Sequence, residues 1–148
     1  MNKNFILNTF KKMESRGWDT LYFAIDIHDT CIKANYKAKP IPTEFFDKAE
    51  RVLQRISRRS DSCLILYTCS HPAEIEEYKN FFSSKKIHFK YVNENPEAQN
   101  TAYGFFEKKF YFNFMFDDKA GFDPENDWAI IEEALDELDG ITKAKKSK

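Results

Sequence analysis

Asp26 stands at the end of an apolar run, Leu21-Tyr22-Phe23-Ala24-Ile25, with a hydroxyl, Thr30, four positions on. Two later apolar runs end in groups of the same kind. Cys63-Leu64-Ile65-Leu66-Tyr67 leads to Thr68, and Phe110 through Phe116 leads to Asp117-Asp118. A buried strand that delivers an acid at its C-terminal end is how an open α/β sheet presents chemistry to its crevice. Carboxylates gathered in one crevice repel each other and call for a divalent cation, and oxygen-only ligands favour Mg²⁺. A hydroxyl and an ammonium beside that cation make a phosphate site. Thr68 donates to the phosphoryl group, while the cation and Lys109 neutralise its oxygens. Asp26 is then free to attack phosphorus, giving an aspartyl-phosphate.

Each piece alone has an ordinary explanation. An acid at a strand end commonly caps a helix, and Asp117-Asp118 before Lys119-Ala120-Gly121 has the composition of a turn. Thr68 and Ser70 are both competent caps for the next helix, and a lysine is by default solvated. The weight lies in their joint occurrence, in chain order, at the ends of successive strands.

The elements that must position these groups follow from periodicity. Apolar spacing predicts a helix over residues 4–16, with Gly17 as its C-cap. After the first strand, the polar, proline-containing stretch Lys33 to Pro42 is a loop. A second helix is predicted from a Thr43 cap to Arg58-Arg59, with Phe45, Phe46, Ala49, Val52, Leu53 and Ile56 inward. The run Cys63 to Tyr67 lacks alternation, as a parallel strand covered on both faces does. A helix over His71 to Ser84 has Pro72 in its first turn. Ile87 to Val92 alternates and reads as a strand nearer an edge, and Asn93 to Gly104 as a long loop. Phe110 to Phe116 is a fourth strand, and Glu125 to Leu138 a last helix stopped by Gly140. Helices alternating with strands predict a doubly wound, mainly parallel sheet of four or five strands, a Rossmann-like three-layer α/β/α sandwich. Right-handed crossovers bring the C-terminal strand ends to one edge.

Bulk properties bound the rest. A chain of 148 residues, 42% hydrophobic and 32% charged, suits one domain with a real core. The expected division is an N-terminal helix over 1–19 packed on the core, the core itself over 20–140, and a frayed basic tail over 141–148. A net charge of -1 implies no strong field for nucleic acid or an anionic membrane. Three cysteines, Cys31, Cys63 and Cys69, form no CxxC pattern, which points to reduced thiols and a cytoplasmic protein. No apolar stretch is long enough for a signal peptide or a membrane span.

At these residues the chain resembles the haloacid dehalogenase-like superfamily of phosphohydrolases. Asp26-Ile27-His28-Asp29-Thr30 is similar to the family's first motif, an apolar strand followed by Asp-x-Asp-x-Thr. Leu64 to Thr68 is similar to the second, a strand ending in a hydroxyl. Lys109, with Lys108 as runner-up, is the best match to the third, a lysine. Phe114-Met115-Phe116-Asp117-Asp118 is similar to the fourth, a strand ending in paired acids. The resemblance covers about residues 20 to 135. It implies an Mg²⁺-dependent phosphatase with Asp26 as nucleophile. Asp26, the backbone carbonyl of His28 and Asp117 hold the metal with Asp118 close behind, and Thr68 and Lys109 hold the phosphoryl group.

The departure is His28, where the family's phosphatases usually carry an acid that protonates the leaving oxygen and then activates water. A histidine can do general acid–base work near neutral pH, although a cation beside Mg²⁺ is unfavourable. Asp29 takes over only if the turn is shifted by one residue. The alternative function is therefore a phosphate- or metal-binding interaction domain with little or no turnover. A receiver-like phosphoacceptor would place the acid pair on the first strand and the acceptor on a later one, the reverse of the order here. Neither the Thr30–Thr43 interval nor the Thr68–Lys109 interval leaves room for an inserted cap domain. An open crevice admits bulky or macromolecular phosphoesters, or takes a neighbouring subunit as lid. The 33–42 and 93–104 loops are the expected rims, with Tyr36 and Tyr103 placed to stack on a base or sugar.

Overall fold

The computed structural model describes residues 1–37 and 39–140. The order of elements is α1 (Lys3–Arg16), β1 (Leu21–Ile25), α2 (Ala49–Arg58), β2 (Ser62–Leu66), α3 (Pro72–Ser84), β3 (Phe89–Val92), β4 (Phe114–Phe116) and α4 (Asp127–Leu138). A short 3₁₀ turn, Asp118–Ala120, follows β4. The strands form one parallel sheet in the order β3-β2-β1-β4. The chain is thus an α/β protein with a Rossmann-like parallel sheet flanked by helices. α1 is capped at its C-terminus by Gly17, whose φ of 69° lies in the left-handed region that glycine enters without a Cβ penalty.

Register shows which side of the sheet carries the main core. Phe23 pairs with Leu64 and with Phe114, and Ile25 with Leu66 and Phe116. With a side-chain period of two, these residues share one face. The buried apolar residues of all four helices fall in the same cluster as that face. α1 meets it through Phe10 on Phe114, α3 through Phe82 on Phe89, and α4 through Trp128 on Phe116. α4 is further clamped to α2 by a row of ion pairs, Arg51–Glu132, Arg55–Asp136 and Arg59–Asp139.

The other face, with Tyr22, Ala24 and Ile65, lies under the irregular segment 93–113, which supplies the third layer. Tyr22 packs edge-on to Tyr111, and Tyr22 and Tyr91 both donate to the Glu97 carboxylate, at 3.2 and 2.6 Å. Crossover handedness explains this layering. The chain steps β1 to β2 to β3 in one direction with α2 and α3 above, so its return to β4, past β1, passes below.

Three elements differ from their sequence expectation. α2 begins at Ala49, and Thr43 does not cap it. Residues 44–46 are drawn instead onto the chain after β1: Ile32 and Phe45 form an antiparallel bridge, Lys33 N–H donates to the Glu44 carbonyl, and Phe46 N–H to that of Cys31. β4 is only Phe114–Phe116, because the Asn113 side chain accepts the Tyr22 N–H at 2.8 Å and ends the ladder there. The run Phe110 to Phe112 belongs to the coil layer. β3 starts at Phe89 rather than Ile87, and lies at an edge as its alternation suggests. The basic tail falls outside the described residues. Among the described residues no helix is long and apolar enough to cross a membrane.

Candidate functional site

β1 is central, flanked by β2 and β4, so its C-terminal end is the middle of the sheet's carboxyl edge. Asp26 N–H donates to the Phe116 carbonyl at 2.9 Å, and Tyr67 N–H to that of Ile25 at 2.9 Å. These bonds bring Asp26, Thr68 and Asp117 to one edge, at the point where the strand order reverses.

The turn after Asp26 is wound around one carbonyl. Ile27 C=O accepts from the N–H groups of Thr30, Cys31 and Ile32. Asp29 pays for that winding with a φ of 60°. Its carboxylate is engaged by Tyr36 Oη at 2.6 Å and by Ala34 N–H at 3.4 Å. Asp29 thereby anchors the 33–37 loop.

Thr30 is completely buried. Its Oγ1 donates to Asp26 Oδ2 at 3.0 Å and accepts from Asp118 N–H at 3.0 Å, with Asp118 Oδ1 3.4 Å away. Its carbonyl accepts from Trp128 Nε1 at 2.9 Å. One threonine thus joins the ends of β1 and β4 and the start of α4. The sequence marked Thr30 as a motif position and assigned it no task; the +4 spacing from Asp26 was the available signal.

Asp26, Asp117 and Asp118 each offer a carboxylate oxygen, and the three lie within 4.8 Å of one another. Asp117 is held by Lys119 N–H, which donates to its Oδ1 at 2.9 Å. Burial raises the Asp26 carboxyl, with the Asp117 charge and Asp118 adding to the effect against the Thr30 hydrogen bond, to about 7. A hard cation fits this donor set: all-oxygen, half-buried, and electrostatically unfavourable while every carboxylate is ionised.

The flank beyond β2 is built differently. Thr68 Oγ1 donates to Ser70 Oγ at 2.9 Å and accepts from Ser70 N–H. The Thr68 backbone is clasped by Asn93, whose Oδ1 accepts the Thr68 N–H and whose Nδ2 donates to the Thr68 carbonyl, at 2.9 and 2.7 Å. Neither Thr68 nor Ser70 caps α3, whose N-cap position is His71. Asn93 was missed at the sequence level; it lies far along the chain in a loop that only the sheet order brings back.

A chain similar in fold to this one is known: a solved structure described as the conserved protein coded by a locus from Bacteroides thetaiotaomicron. The two superpose with a TM-score of 0.60 at 22% identity, over 87% of this chain and 98% of the other. Likeness at that identity shows the fold alone. No protein-family model and no curated protein matches the sequence.

The carboxylates open into a cavity of about 750 Å³. Asp26, His28, Thr68, Asp117 and Asp118, all expected at the site, line it. Lys109 does not. It sits in the exposed coil before β4, and Lys108 lines a separate cavity of about 550 Å³ formed by 93–110. The lysines on the main cavity are Lys37 and Lys119. Lys119 was legible as the residue directly after the acid pair, on the same turn. Of the two expected rim tyrosines, Tyr36 lines the cavity and is 88% exposed, whereas Tyr103 does not line it. The 93–104 loop reaches the cavity only at Asn93.

His28 also lines the cavity. Its Nε2 lies 2.8 Å from the Tyr78 hydroxyl, which donates to the Pro42 carbonyl at 3.2 Å. Tyr78 is fully buried, and that burial pushes its phenol up, so it stays a neutral hydroxyl. The edge thus gathers three half-buried carboxylates, a hydroxyl and an imidazole around one cavity.

Proposed function

We propose that this chain is a haloacid dehalogenase-like, Mg²⁺-dependent phosphohydrolase working through an aspartyl-phosphate on Asp26. The observation that carries the reading is the convergence of Asp26, Asp117 and Asp118 beside Thr68 at the carboxyl edge of a parallel sheet. Asp26, Asp117 and Asp118, with the His28 carbonyl, would hold the cation, which neutralises the carboxylates and the phosphoryl oxygens. The Asp26 carboxylate attacks phosphorus as the bond to the leaving oxygen breaks. Thr68 and Ser70 supply hydroxyl donors to the phosphoryl group, and Lys119 and Lys37 take the place expected of Lys109. His28 gives a proton to the leaving oxygen and later takes one from the water that cleaves the acyl phosphate. With no inserted domain over the crevice among the described residues, bulky phosphomonoesters fit the site. Three free thiols, Cys31, Cys63 and Cys69, suit a reducing cytoplasm.

The test is hydrolysis of 4-nitrophenyl phosphate and a panel of nucleotides and sugar phosphates, with and without Mg²⁺. Activity that depends on Mg²⁺ and is lost in Asp26→Asn is the expected result; turnover unchanged by that substitution overturns it. A second reading, a phosphate- or metal-binding domain with little turnover, draws on His28 at the acid position and on Lys109 lying off the cavity. It predicts Mg²⁺-linked stabilisation without hydrolysis, and a gain of activity in His28→Asp.

A further inference from the structure

An imidazole in the place of a carboxylic acid has a problem that a carboxyl group lacks. Either oxygen of a carboxyl group can carry the proton, but the two ring nitrogens of a histidine point in different directions, and only one can serve the crevice. The surroundings of His28 bear on which. Its Nε2 is 2.8 Å from Tyr78 Oη, and the two rings sit edge to face at 77°. The Tyr78 hydroxyl has a single proton, and the Pro42 carbonyl lies 3.2 Å away to accept it. A hydroxyl that donates to Pro42 can only accept from His28. The proton between ring and phenol then sits on Nε2, and all three polar groups are satisfied. With the proton on Nδ1 instead, Tyr78 turns its hydroxyl to the ring and the Pro42 carbonyl loses that donor.

The tether is itself rigid. Tyr78 is fully buried on α3, stacked on Phe82 at 6.0 Å, and cannot follow the ring if it swings. Pro42 lies at the end of the loop that rims the cavity. The relay therefore joins that loop, α3 and the turn after β1.

We infer that Tyr78 is a positioning residue for His28: its hydroxyl oxygen accepts a hydrogen bond from Nε2–H, its own O–H donates to the Pro42 carbonyl, and Nδ1 is left as the ring atom that serves the crevice. This rests on the phosphohydrolase reading for its consequence, though not for its geometry. In the reaction, Nδ1–H of the imidazolium protonates the leaving oxygen as the phosphorus–oxygen bond breaks, leaving the Nε2–H form of the neutral ring. Nδ1 then removes a proton from the water that attacks the aspartyl-phosphate. The other proton stays on Nε2 throughout, hydrogen-bonded to Tyr78 Oη.

Two measurements test this. Long-range ¹H–¹⁵N correlation spectra of ¹⁵N-histidine-labelled protein report which ring nitrogen carries the proton. The full chain should show His28 in the Nε2–H form, and Tyr78→Phe, which keeps the ring packing, should show a mixture of the two forms. The second is steady-state kinetics with 4-nitrophenyl phosphate and Mg²⁺. Tyr78→Phe should lower kcat roughly ten-fold at unchanged KM, the scale of loss when a partner that orients an imidazole is removed. In a His28→Asp background the same change should cost nothing. A wild-type ring in the Nδ1–H form, or equal kcat losses in both backgrounds, overturns the inference. If no phosphomonoester is turned over by any variant, the phosphohydrolase reading fails while the spectra still decide the role of Tyr78.

Discussion

The two flanks of the crevice are held together in different ways. On the β1–β4 side the functional groups are bonded to one another: buried Thr30 links Asp26 to Asp118 and hangs from Trp128. On the β2 side they are bonded locally: Thr68 and Ser70 satisfy each other, Asn93 holds only backbone, and Lys37 and Lys119 are exposed. Like-charged carboxylates stay close only if their geometry is imposed by the fold. Hydroxyls and ammonium groups that meet an incoming anion need no such enforcement, and can organise as it arrives. The first flank is thus fixed by the fold, and the second is free to rearrange.

The largest effect expected is at the centre of the rigid flank. Asp26→Asn should lower phosphatase kcat/KM by at least ~10³-fold, measured in steady state, with the fold intact by circular dichroism. Next comes the contrast between two threonines. Thr30→Val removes a buried donor and acceptor and orphans the Asp118 N–H, and should cost about 2–3 kcal/mol in urea unfolding. Thr68→Ala should cost under about 0.5 kcal/mol, since its partners can turn to water. Equal losses at the two sites would erase the distinction between the flanks.

A smaller effect is expected from pH. The folded Asp26 carboxyl is raised to about 7, chiefly by burial, so folding favours its neutral form. The stability this contributes is fully present below the ordinary carboxylate range and is lost as pH rises through about 7. Without a divalent cation, stability should therefore fall over that interval. A cation binds the ionised form, so the rise in Tm with 10 mM-scale Mg²⁺, a ~10⁻² M addition chosen to saturate weak sites, should be larger at pH 8 than at pH 5. A Mg²⁺ effect that is flat or shrinks with pH would count against a cation on these carboxylates. The smallest effects belong to the lysines. Lys119→Ala should raise KM several-fold, about 1 kcal/mol of exposed charge, while Lys109→Ala should leave it unchanged. The reverse outcome would restore the lysine assignment made from sequence.

Much of the scaffold was legible because its signals are local. Continuous apolar runs marked β1 and β2 as covered strands, and both are. Pro72 marked the first turn of α3 and Gly17 the end of α1. The misread elements share a cause. Thr43 to Phe46 has the spacing of a helix, but its backbone bonds to residues 31–33. Phe110 to Asn113 has the composition of a strand, yet those rings cover the outer face, where Phe110 packs on Tyr67 at 6.0 Å. Aromatic bulk reports burial and not which surface is buried.

The order of strand ends places Asp26, Thr68 and Asp117-Asp118 together, since parallel strands joined by right-handed crossovers leave their C-terminal ends on one edge. That much the sequence determined by itself. Only the tertiary structure decided that Thr30 is the joint between the carboxylates, that Tyr78 holds His28, and that Lys119 and Lys37 rather than Lys109 face the cavity. Those choices depend on where coil passes in space. Coil has no period from which its path can be read, and its contacts join residues far apart in the chain, such as Thr30 with Asp118 and His28 with Tyr78.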